Sequence, residues 1–122
     1  MKSVRNAFAV VVAVIALAAC GASGKAVVEQ FYTNVDKGEI SAAIQALSPT
    51  TRGMMPDAKI RAMMSEQSRV MQKKGGIKAI QVEGTEKGET GQYIVRLTFG
   101  DGSQQQETVK VAKVDGKWYI EK

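Results

Sequence analysis

From Lys25 onward the apolar residues recur first at helical and then at strand spacing. Over Lys25 to Lys37, Val27, Val28, Phe31 and Val35 fall on one side of a helix at about 100° per residue. Tyr32 sits at the edge of that stripe, while Glu29, Gln30, Thr33 and Asp36 take the other side. This is an amphipathic helix, with Gly38 as its stop. Ile40, Ala43, Ile44 and Leu47 predict a shorter second helix that ends at Ser48-Pro49. Pro49 to Pro56 reads as a loop containing Met54-Met55. Asp57 to Lys74 predicts a third helix, with Asp57 in its positive first turn, Lys73 and Lys74 in its negative last turn, and Gly75-Gly76 beyond. Ile60, Met63, Met64 and Met71 share one of its faces, with Gln67 in the middle and Val70 at the flank.

The period then changes. Ile77 to Glu86 is strand-like, Ile80 and Val82 alternating against Lys78, Gln81 and Glu83. Lys87 to Gly91 is a turn, and Gln92 to Phe99 sets Tyr93, Val95, Leu97 and Phe99 against Ile94, Arg96 and Thr98. Gly100-Asp101-Gly102 makes the next hairpin, Glu107 to Val114 the third strand, Asp115-Gly116 a further turn, and Lys117 to Ile120 a short fourth strand. Tight turns in succession join neighbours antiparallel. The expected class is α+β, with N-terminal helices packed on one face of a curved four-stranded antiparallel sheet.

The segment ahead of this pattern is of another kind. Lys2 and Arg5 make a positive start, and the thirteen residues Ala7 to Ala19 are unbroken Ala, Val, Ile, Leu and Phe. At about 1.5 Å each they reach only about two thirds of a hydrocarbon core of roughly 30 Å, so they predict a secretory signal instead of a span. Leu17-Ala18-Ala19-Cys20 resembles the lipobox of bacterial lipoproteins. That resemblance implies signal-peptidase recognition of Leu17, Ala18 and Ala19 and acylation of the Cys20 sulfur. Cys20 is the single cysteine of the chain, so no internal disulfide competes for it. The expected organisation is a cleaved leader over residues 1–19, a lipidated cysteine and tether over 20–24, and one domain over 25–122. Membrane contact comes through the acylated Cys20. By the same resemblance, Gly21 points to the outer membrane facing the periplasm if the source is Gram-negative.

The order helix, Gly, helix, Ser-Pro, longer helix, then a sheet closing in Asp115-Gly116-Lys117-Trp118-Tyr119-Ile120 resembles the nuclear transport factor 2-like (cystatin-like) fold. Together with Phe31-Tyr32 and Asp36-Lys37-Gly38, it is similar to a family of bacterial lipoproteins of unknown function that carry this domain behind a lipobox. That family supplies a fold and no mechanism.

Composition narrows the chemistry. The chain has no histidine, which removes Ser-His-Asp and Cys-His catalysis and zinc sites built from His and Cys. Without Lys2 and Arg5, fifteen basic residues face twelve acidic ones. The surplus is mild and spread out, so no nucleic-acid partner is expected. Enzymes on this fold place carboxylates, tyrosines or histidines inside the cone between helices and sheet. Here Glu83, Glu107 and Asp36 read as lying on polar stripes, so no inward base is expected and neither is catalysis. Neither a cofactor nor a metal is expected. Methionines Met54, Met55, Met63, Met64 and Met71 suit Cu(I) by softness, but the face that Met63, Met64 and Met71 share with Ile60 favours packing. Phe31, Tyr32, Tyr93, Leu97 and Trp118 are the residues that would line a pocket in the cone. Arg96, Lys110 and Thr98 form a sheet face open to a partner. The function expected is a non-catalytic envelope binding or accessory protein acting through partner-protein contacts. A carrier of a small apolar ligand is the alternative, and an isomerase, dehydratase or hydrolase comes third.

Overall fold

The computed structural model describes residues 22–121. Leu17, Ala18, Ala19 and Cys20, with the whole leader, lie outside the described residues. Helix α1 spans Gly24–Lys37, α2 Ile40–Gln45, α3 Pro49–Gly53 and α4 Asp57–Lys73. Strands β1 (Ile77–Lys87), β2 (Thr90–Phe99), β3 (Gln104–Val114) and β4 (Lys117–Glu121) follow. They form one sheet in the order β1-β2-β3-β4, with every pair antiparallel. The expected α+β class and the meander are therefore what the chain adopts.

Helix α1 begins one residue earlier than the periodicity predicts, because Ser23 caps it by accepting the Ala26 N–H. It ends at Gly38, whose φ of 78° lets its N–H reach back to the last-turn carbonyls. Val28, Phe31, Tyr32 and Val35 are buried from this helix, so Tyr32 is inside the stripe and not at its edge. The helix packs on β1, β3 and β4 and against α2 and α4. Tyr93, Val95, Leu97 and Phe99 of β2 and Val109 and Val111 of β3 complete the core. Each such side chain withdrawn from water contributes about 1.5–3 kcal/mol.

Two stretches depart from expectation. The second helix stops at Gln45, short of Leu47; Leu47 instead forms a parallel bridge with Ile120, flanked by Ile120 N–H to the Ala46 carbonyl (2.7 Å) and Ser48 N–H to the Ile120 carbonyl (2.9 Å). Residues 46–48 thus cover the outer edge of β4. The expected loop Pro49 to Pro56 contains α3, because Ser48 is an N-cap and Pro49 a first-turn proline. Ser48 Oγ accepts the Thr51 N–H at 3.1 Å and donates to Thr51 Oγ1 at 3.0 Å, which satisfies a hydroxyl that is fully buried.

Candidate functional site

The inner face of the sheet carries two carboxylates that strand alternation assigned elsewhere or overlooked. Glu107 belongs with Val109 and Val111, the residues of β3 that face the helices. It accepts a hydrogen bond from the Tyr32 hydroxyl of α1 at 2.6 Å, and another from the Gln105 amide on its second oxygen. Its expected place on a polar stripe is thus corrected: period two counted back from Val109 points it inward. Glu86 is in phase with Ile80 and Val82 on β1. Its Oε2 accepts the Tyr93 hydroxyl at 2.5 Å and the Gly24 N–H at 2.9 Å.

That last contact explains the glycine. A Cβ at Gly24 would lie 2.7 Å from Glu86 Oε2, 3.2 Å from Val111 Cγ2 and 3.3 Å from the Tyr93 ring. A side chain there would displace the Glu86 carboxylate from its hydrogen bond and crowd Val111 and the Tyr93 ring, so glycine favours the close approach of the first turn of α1 to the sheet. The carboxylate then meets an unpaired N–H at the positive end of the helix.

Both phenols are held protonated. Burial first, then the hydrogen bond and the charge of Glu107, raise Tyr32 far above its ordinary value. Burial, helped by Glu86, pushes Tyr93 up to about 12. The phenols are therefore permanent donors at neutral pH, and each carboxylate is engaged as acceptor. Phe31 meets Tyr32 edge to face, with ring centroids 5.2 Å apart and planes at 84°. The group is suited to locking helix to sheet. Neither tyrosine is poised to exchange protons near neutrality.

The five residues expected to line one pocket do not share one. Tyr32, Tyr93 and Leu97 are buried in the core, and the space between α1 and the sheet is filled by their neighbours. Phe31 is in the wall of a cavity of about 80 Å³ between α1, α3 and α4, beside Leu47, Met55, Ile60, Met63 and Met64. Trp118, itself buried with Lys113 Nζ 5.7 Å over its ring, borders an open groove of about 350 Å³ with Val27, Asn34 and Ala46. Packing accounts for Met64 and Met71, which are buried; Met63 is 52% exposed, against the expectation of a shared core face, and Met54, expected in a loop, is 69% exposed.

The outer face of the sheet carries Gln81 and Glu83 from β1, Ile94, Arg96 and Thr98 from β2, and Gln106, Thr108 and Lys110 from β3. Ile94 is 41% exposed there, and Arg96 Nε donates to Gln106 at 3.0 Å. Among the described residues no group of three or more acidic, histidine or cysteine side chains is placed to hold a metal ion, and no helix is long and apolar enough to cross a membrane.

Comparison with known proteins places this arrangement. The family described as Domain of unknown function (DUF4878) matches residues 18–121. A proposed NTF2-like transpeptidase from Campylobacter jejuni has a solved structure similar to this chain at a TM-score of 0.67. Its identity is 22%, with 76% of this chain and 92% of that chain covered. A SEC-C motif containing protein from Rhodopseudomonas palustris is similar at a TM-score of 0.55 and 20% identity, covering 80% of this chain and 73% of that one. At these identities the likeness carries the NTF2-like fold and nothing of the chemistry. No curated protein matches the chain.

Proposed function

The chain belongs to the family described as Domain of unknown function (DUF4878), and on that premise we propose that it is a lipid-anchored binding module of the bacterial cell envelope. It acts through contacts with a partner protein and performs no catalysis. The observation that carries this reading is the contrast between the two faces of the sheet. The inner face is filled and its carboxylates are spent on tyrosines, while the outer face has no covering element among the described residues. Ile94 stands there among Arg96, Thr108 and Lys110, an apolar centre with a polar and cationic rim.

The anchorage rests on the resemblance of Leu17-Ala18-Ala19-Cys20 to a lipobox. Helix α1 starts at Gly24, so the tether is short and the domain works within a few residues' reach of the bilayer. A carrier role has less support. The cavity bounded by Phe31 holds about 80 Å³, against roughly 300–1,000 Å³ for typical small-molecule sites. The groove at Trp118 is larger but open to solvent.

Two measurements test the proposal. Cys20→Ser should shift the protein from the membrane to the soluble fraction; unchanged membrane recovery would overturn the anchorage. A photocrosslinking residue at Ile94 should yield a discrete adduct in cells, and one at Gln67 should not. Adducts from Gln67 alone would move the binding face to the helices.

A further inference from the structure

We propose that Met55, Met63 and Met64 form a binding site for a soft monovalent metal ion, Cu(I) or its analogue Ag(I), at the mouth of the cavity between α1, α3 and α4. The inference is independent of the anchorage and of the outer sheet face. It starts from a methionine that packing leaves unexplained. Met71 and Met64 are buried and Met55 is partly buried against the core, but Met63 is 52% exposed and still borders the same cavity as Met55 and Met64. Three methionines therefore line one cavity, two from consecutive positions on α4 and one from the residue just before Pro56, the N-cap of that helix.

The size and lining select the ligand. About 80 Å³ is room for an ion with a small co-ligand, and too little for a drug-sized molecule. No carboxylate, thiolate or imidazole is in the wall, so Ca²⁺, Mg²⁺ and Zn²⁺ find none of the ligands they need. Thioether sulfur is a soft, uncharged donor that suits Cu(I), and a single positive charge costs least to hold beside the apolar Phe31, Leu47 and Ile60. Methionine has three rotatable side-chain bonds, so the sulfurs can converge without moving the backbone. Thioethers carry no proton to lose. Affinity should therefore be flat with pH, whereas a site of cysteine or histidine weakens in acid.

The test uses the full chain carrying Cys20→Ser, which removes the one thiol that could compete. Ag(I), and Cu(I) under a competing chelator, are titrated while the methionine methyl groups are followed by NMR. The expected result is one ion per chain, with the Met55, Met63 and Met64 methyls shifting together and equal affinity at pH 5 and pH 7. Met55→Leu and Met63→Leu should each weaken binding by about tenfold or more. Met64→Leu, which keeps the volume of a buried side chain, tests whether the third sulfur contributes beyond packing, with its thermal unfolding checked in parallel. Binding no tighter than millimolar would overturn the proposal. So would shifts confined to the exposed Met54, or an affinity indifferent to Met55→Leu and Met63→Leu.

Discussion

The two places where α1 meets the rest of the molecule are packed on different terms. Against the sheet it meets β-branched and aromatic side chains, which have few rotamers to choose from, and two tyrosine hydroxyls are tied to two carboxylates. Toward α4 it meets methionines, and a cavity remains whose wall also takes in residues of α3. The lesson is that stiff side chains close an interface, whereas unbranched flexible ones leave it less completely filled. The first interface sets the fold. The second is the interface that keeps a cavity.

Truncating one residue on each side tests this most severely. Leu97→Ala, in the sealed interface, should lower unfolding free energy in urea by about 4 kcal/mol. Met64→Ala, whose side chain already lacks neighbours on its cavity side, should cost about 2 kcal/mol. Equal losses would erase the distinction. Alkaline titration comes next. Above pH about 10 an unfolded chain releases phenolic protons, while native Tyr93 keeps its proton to about 12 and Tyr32 higher still. The folded state thus binds more protons in that window, and stability is constant below it and falls as pH rises through it. Tyrosinate absorbance should accordingly rise together with the loss of tertiary circular dichroism, and ionisation of all tyrosines in a still-folded protein would contradict the locking role.

Tyr32→Phe removes one donor to Glu107 but leaves Gln105, and should cost about 1.5 kcal/mol by chemical denaturation. The smallest effect belongs to the exposed Met63. Met63→Leu should change stability by less than about 0.5 kcal/mol, so that any change in ligand binding by this variant reports the sulfur alone.

Much of this was legible in the chain. The stripe of α1, its stop at Gly38 and the alternation of β2 needed no tertiary information, since each follows from backbone period and turn chemistry. Other features had a local signal that competed with another. Ser48-Pro49 reads equally as the end of one helix and the capped start of the next, and the structure uses it as the start. Glu107 and Glu86 sit in phase with apolar neighbours, but their charge argues for solvent; the deciding fact is a tyrosine placed opposite each, which only the packed fold supplies. The division of the methionines was not legible, because one helical face held all three of Met63, Met64 and Met71 while α3, absent from the expected elements, determines where the cavity opens. The pocket expected from Phe31, Tyr32, Tyr93, Leu97 and Trp118 failed for a related reason. Periodicity assigns a residue to a face and says nothing of whether the space above that face is empty.

The bridge between Leu47 and Ile120 has a consequence for how the chain reaches its fold. Ala46 and Ser48 are fastened to Ile120 across a long stretch of intervening chain, and closing so large a loop is entropically costly until the sheet is in place. The stitch therefore makes the short helices and the meander one cooperative unit, in which neither part is complete without the other.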